Sequence, residues 1–333
     1  MKASLSIAAA LVPLAATAAC GLKKFDNLVT FGDSYTDEGR LGYFINHGGE
    51  APPAGELLPE SSGAASGGFA WPRIIAQKAG VKSFNYAPFP SVLEYEVPAF
   101  KADTEYPLYD NVTADNTVYA LWIGTNDLGA DAFLTDDNKA GTTLTTYTDC
   151  VFNVFDNVYE TGGRHFVLLN VVPLEKLPMY ELPELGGTGD NQFWGDKTSY
   201  DILALKNKIH QYSTSVNSIF SYGAAANTVL NNRWPGASLT VFDVHSLFSE
   251  LIANPTEYYE SPVDPIGYFR HCDPATGACV DSQNDPDSFL WYDELHPSVR
   301  SSEILAEEFI KVVEGTSKYA TTYVSKSAAS KRK

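Results

Sequence analysis

A doubly wound α/β fold is what this chain predicts, on three observations. Five short apolar runs lack polar alternation, helical stretches with one apolar face lie between them, and no repeat, heptad array or low-complexity block divides the 333 residues. Strands of a parallel sheet read as near-continuous apolar runs because helices cover both faces. With 44% hydrophobic residues there is material for a sizeable core in one domain.

In chain order, Met1-Lys2, the apolar stretch from Ala3 and Ala16-Thr17-Ala18 give a charged start, a short greasy segment and a small-residue cleavage site. That pattern predicts a secretory signal peptide over residues 1–18, too short to span a bilayer core of about 30 Å as a helix. Thr17-Ala18-Ala19 fits a lipid-modified Cys20 poorly. The expected strands are Asn27 to Phe31, Ser83 to Tyr86, Thr117 to Ile123, His165 to Val171 and Ser238 to Asp243, rich in β-branched, aromatic or leucine residues. Helices are expected over Trp71 to Lys78 and Tyr147 to Glu160. The clearest runs from Asp201 to about Leu230, where Ile202, Leu205, Ile209, Tyr212, Val216 and Ile219 recur at three- and four-residue steps. Ser298 to Glu314 closes a single domain over residues 19–320, and residues 321–333, with the basic run Lys326 to Lys333, are expected to be a disordered tail.

A net charge of -18 excludes most nucleic-acid binding, which needs a clustered basic surface, and suits anionic membranes poorly. It fits neutral or apolar substrates and no stable membrane association. Export would place the four cysteines in an oxidising compartment. Cys272 and Cys279 bracket a turn-rich loop suited to a local disulfide, Cys150 is expected unpaired and buried, and a Cys20 to Cys150 pairing stays open. No C-x-x-C or H-E-x-x-H spacing supports a metal, and no cofactor is expected. Asn111-Val112-Thr113 is the only N-glycosylation sequon.

Three stretches carry the chemistry. Val29 to Gly39 is an apolar run that breaks at Gly32 and delivers Ser34 at a turn, and a serine hydroxyl needs a base and oxyanion donors before it can act as a nucleophile. Asp293-Glu294-Leu295-His296, the only D-x-x-H, spaces a carboxylate so that one tight turn brings it onto the imidazole. Gly124-Thr125-Asn126-Asp127 sets an amide at a strand end. Asp33 and Asp127 are expected to fix their turns rather than act as acids. His245 is the best competing base, read as structural, and His47, His165 and His210 as surface or satisfied histidines. Trp291 and Tyr292 either stack on a sugar or pack under the turn. Trp194 and residues 178–193 either cover the pocket or, as the default, form a solvated connector.

Together these stretches resemble the GDSL, or SGNH, hydrolases, over nearly all of the chain after residue 25. The likeness is closest to the fungal-type secreted esterases of carbohydrate esterase family 16, through Phe31 to Gly39, Trp71-Pro72, Trp122 to Gly129 and Asp293 to Pro297. The resemblance implies a flavodoxin-like three-layer α/β/α sandwich around a parallel sheet of about five strands. It also implies Ser34 as nucleophile, His296 as base, Asp293 orienting it, and Asn126 with the Ser34 N–H in the oxyanion hole. The partner implied is a small-molecule or oligosaccharide ester: short acyl groups, acetate first, on plant cell-wall sugars. A lipase or lysophospholipase on longer chains and a non-catalytic sugar-binding relative are the alternatives. One block departs from the family pattern. Where a glycine N–H serves as third oxyanion donor, this chain has Pro88-Phe89-Pro90-Ser91 after Asn85-Tyr86-Ala87, and proline has no N–H to give.

Overall fold

A computed structural model describes residue 22, residues 24–87 and residues 91–327. The expected signal peptide, Cys20, the block Pro88 to Pro90 and residues 328–333 lie outside the described residues.

The strands are β1 Asn27–Gly32, β2 Lys82–Asn85, β3 Thr117–Trp122, β4 His165–Leu169 and β5 Ser238–Phe242. All residues of β1, β3 and β5 are buried, which explains their unbroken apolar pattern. Small strands β6 Asp264–Tyr268, β7 Arg270–Cys272, β8 Cys279–Asp281 and β9 Phe289–Trp291 follow, then β10 Ala320–Val324. The main sheet has the order β10-β5-β4-β3-β1-β2. Strands β1 to β5 are parallel, and β10 joins β5 antiparallel.

The α-helices are α1 Arg40–Asn46, α2 Trp71–Ala79, α3 Val97–Asp103, α4 Thr125–Leu128, α5 Leu144–Glu160, α6 Ile202–Ala225, α7 Val244–Ala253 and α8 Val299–Glu314. Helix α2 packs on α8 over one face of the sheet, and α3, α5 and α6 pack in series over the other. Trp71 of α2 is fully buried beside Phe309 of α8, at 5.1 Å between ring centroids. Four starts are capped by side chains: Thr143 in a capping box on α5, Asp201 on α6, Asp243 on α7 and Ser298 on α8. The architecture is therefore the expected α/β/α sandwich.

Two expectations are corrected. Residues 321–324, expected in the tail, belong with Ala320 to β10, the sixth strand of the main sheet, joined to β5 by its ladder and by Thr240 and Thr322 hydroxyls 2.9 Å apart. A half-exposed edge strand has no buried run to betray it. Cys150 is exposed rather than buried, because it falls outside the Tyr147, Val151, Val154, Phe155 and Val158 stripe that α5 turns inward. It has no disulfide partner among the described residues. Cys272 and Cys279 are joined across the β7–β8 hairpin, as expected. Asn111 sits in an exposed turn.

Candidate active site

Strand β1 lies between β2 and β3, and the chain reverses its direction of travel across the sheet there, so a crevice opens at the carboxyl ends of β1 and β3. Ser34 follows β1 into that crevice. Its turn is held by Asp33, whose carbonyl accepts from Thr36 N–H at 2.9 Å and Asp37 N–H at 3.1 Å and whose carboxylate accepts from Tyr35 N–H at 3.0 Å. Gly32 N–H donates to the fully buried Glu96 at 3.0 Å.

The second half of the site comes from the turn after β9. Asp293 Oδ1 accepts from Leu295 N–H at 2.9 Å and His296 N–H at 2.7 Å, folding the D-x-x-H segment back on itself. Both carboxylate oxygens then lie 3.0 Å from His296 Nδ1, and Nε2 lies 2.8 Å from Ser34 Oγ. A proton on Nδ1 satisfies the carboxylate and leaves the Nε2 lone pair facing the serine hydroxyl. Tyr35 O–H ties the two turns together by donating to the Leu295 carbonyl at 2.6 Å. Asp293 and His296 are buried and Ser34 is half-buried.

Asn126 sits on the short helix α4 after Gly124, which has φ +130°. Its half-buried side-chain amide has no hydrogen-bond partner among the described residues. It lines, with Gly32, Asp33 and Ser91, a largely apolar cavity of about 330 Å³ walled by Val92, Leu93, Phe133 and Val151. The proline block that replaces the family's glycine turn falls outside the described residues.

Three carboxyls around this crevice are held toward their neutral forms. Burial raises Asp33 to about 7, with the Asp127 carboxylate pushing the same way and the Tyr35 N–H and the His296 imidazole pulling back. Burial alone raises Asp127 to about 6, and it raises Glu96 well above the carboxylate range. Between the ordinary aspartate value and about pH 7 the folded chain thus keeps a proton on Asp33 that the unfolded chain releases. Stability is fully present below that window and lost as the pH rises through it, by about 4 kcal/mol at most. Chemical denaturation from pH 4 to 8 should show Asp33→Asn flattening this decline, and an unchanged slope would show that Asp33 is not the group responsible.

The remaining candidates separate cleanly. Trp291 is fully buried against Phe248 and packs under the turn. Tyr292 is half-buried and stacks on Phe269. His245 opens α7, its N–H donating to the Asn170 side chain at 2.9 Å. His165 Nδ1 lies 3.1 Å from Ser238 Oγ, His210 pairs with Glu175 and His47 with the Tyr43 carbonyl. The default reading of residues 178–193 as a solvated connector is overturned: Trp194 is buried between Tyr180 and Tyr200, and Phe193 packs edge-on against the His296 ring with centroids 5.2 Å apart. Glu294, fully buried beside Asp293, accepts from Gln192 at 3.4 Å and pairs with His271. The sequence offered no sign of Glu294 beyond its place inside the D-x-x-H, and of Phe193 only its place in the segment that could cover the pocket.

Comparison with known proteins places the chain in a family. The family model for the GDSL-like lipase/acylhydrolases matches residues 28–309. An acetylesterase of Hypocrea jecorina is 43% identical over 317 residues, covering 89% of this chain and 91% of that protein. An acetylesterase of Thermothelomyces thermophilus is 25% identical over 84% of this chain and 85% of its own. Among solved structures, an acetylxylan esterase from Geobacillus stearothermophilus aligns over 89% of this chain and 96% of its own, at 16% identity and a TM-score of 0.42. On the family match and the 43% identical relative, this chain belongs to the GDSL-like lipase/acylhydrolase family and is a carboxylic ester hydrolase.

Proposed function

We propose that the protein is a secreted serine esterase that removes acetyl groups from plant cell-wall oligosaccharides, with Ser34, His296 and Asp293 as its catalytic triad. The observation that carries this reading is the unbroken chain from Ser34 Oγ through both ring nitrogens of His296 to Asp293. His296 Nε2 takes the hydroxyl proton as Ser34 Oγ bonds to the ester carbonyl carbon. The oxyanion is stabilised by the Asn126 amide and the Ser34 N–H. The imidazolium then gives its proton to the departing alcohol oxygen as the C–O bond breaks, and water repeats the sequence to free acetate. None of these steps calls for a metal or cofactor. The acetyl preference is supported by the two acetylesterase relatives.

The domain is taken as residues 19–320 extended through β10, preceded by a signal peptide over residues 1–18, with glycosylation at Asn111. No helix among the described residues is long and apolar enough to cross a membrane. The test is hydrolysis of p-nitrophenyl acetate and acetate release from acetylated xylo-oligosaccharides, for the wild type beside Ser34→Ala. Loss of both activities with Ser34, by about 10 000-fold or more, is the expected result. Equal rates in the two proteins would remove Ser34 from the reaction.

One observation favours a second reading. The apolar cavity beside Asn126 is larger than an acetyl group requires, which is compatible with longer acyl chains. A rate peak at eight carbons or more in a chain-length series would replace the acetyl assignment with the lipase one.

A further inference from the structure

We propose that Phe193 is a specificity-determining residue that contacts the alcohol portion of the ester, so that the enzyme selects its leaving group through a rigid aromatic finger. The inference rests on the triad assignment above and extends it from the acyl side to the alcohol side.

The finger is built in three layers. At its tip, Asn191 and Trp194 exchange two backbone hydrogen bonds, each 3.1 Å, leaving Gln192 and Phe193 as the two residues of a tight reverse turn. Asn191 Oδ1 accepts from Phe193 N–H at 3.0 Å and fixes the tip's shape. At its base, Lys197 is almost fully buried and donates to the carbonyls of Glu181 at 3.0 Å and Thr188 at 2.6 Å, closing the loop on itself. Burial pulls this ammonium down to about 8, a cost consistent with its being held for structure. Trp194 adds an apolar anchor between Tyr180 and Tyr200.

The third layer locks the finger to the catalytic turn. Gln192 donates to Glu294, and Met179 N–H donates to the Glu294 carbonyl at 2.8 Å. Residue 294 thereby holds both ends of the loop against the segment that carries Asp293 and His296. These contacts tie the loop to the segment that carries the imidazole.

Placement of the ring gives it a task. The departing alcohol oxygen must come within hydrogen-bond reach of His296 Nε2 to receive its proton. The body of the alcohol therefore lies beside the imidazole. One flank of that ring is taken by Tyr35, which is buried at 5.7 Å and edge-on. Phe193 packs on the same ring from the finger and is only half-buried. A methyl or ethyl alcohol is too small to use its exposed face. A sugar ring brings an apolar C–H face that can rest on it, the usual way an aromatic side chain combines apolar burial with defined geometry.

The experiment compares kcat/KM on ethyl acetate and on a monoacetylated methyl xyloside for the wild type, Phe193→Ala and Phe193→Tyr. For Phe193→Ala the expected result is a loss about tenfold greater on the xyloside than on ethyl acetate, the scale of one aromatic face withdrawn from burial. Phe193→Tyr should restore the xyloside rate. Equal losses on both substrates would mean that Phe193 only holds His296 in place, and no loss on either would mean that it touches nothing in the transition state; both overturn the proposal. Phe193→Leu serves if the alanine variant fails to fold, with the same two-substrate ratio as readout. Should wild-type hydrolysis of ethyl acetate prove independent of Ser34, the triad assignment fails instead, which keeps the two outcomes distinguishable.

Discussion

Asp293→Asn should lower kcat by about 10 000-fold while leaving the protein folded and KM nearly unchanged, the scale expected when a triad carboxylate becomes its amide. The amide Oδ1 can still accept from Leu295 N–H and His296 N–H, so the turn survives. What changes is the ring's partner. Two carboxylate oxygens now face Nδ1 at 3.0 Å, and the amide replaces one of them with a donor. The imidazole answers by carrying its proton on Nε2, which then presents hydrogen to Ser34 where a lone pair is required. Circular dichroism, thermal melting and p-nitrophenyl acetate kinetics on the same preparation check it. A kcat near the wild-type value would mean that Asp293 does not set the tautomer of His296, whereas a collapsed melting temperature would mean that Asp293 acts mainly through the turn.

Much of this site was legible because its chemistry is written in short segments. Ser34 follows a buried strand and a glycine, Asp293 and His296 share one turn, and Asn126 follows the next strand inward, so three local readings and the strand-end rule suffice to bring them together. The five parallel strands were legible for the same reason, since a strand buried on both faces leaves an apolar run. What the sequence hid depends on contacts between distant segments. The edge strand Ala320–Val324 is half-exposed and takes its pairing from β5. Phe193 and Gln192 lie in a loop rich in glycine and proline whose local pattern reads as a connector, and only the buried Lys197, Trp194 and Glu294 turn it toward the active site. Cys150 was misplaced because a cysteine's usual burial is a weaker cue than its position around α5.

Gly32→Ala should be among the most damaging single methyls that can be added near the site, lowering stability by about 3 kcal/mol or more, the upper end for overpacking, and disabling the serine with it. A Cβ at Gly32, where φ is +154°, would stand 2.2 Å from the Trp122 carbonyl oxygen and 2.9 Å from Thr36 Oγ1. The first obstacle is backbone, fixed by the parallel register that sets Gly32 opposite Trp122, so no rotamer change can relieve it. The end of β1 must swing away from β3, and that movement carries Ser34 from the imidazole and from Asn126 together. Gly42, on α1 with nothing within 4 Å of its would-be Cβ, is the control: alanine there should be neutral or slightly stabilising, since it favours the helix. Thermal melts and acetate release for the two variants separate the outcomes. Wild-type stability and rate in Gly32→Ala would show that the β1–β3 junction is looser than this register requires. A lowered melting temperature with kcat intact at 20 °C would show that the serine turn is held by the Asp33 bonds and Tyr35 rather than by the strand end, because those contacts lie beyond Gly32 and travel with the turn.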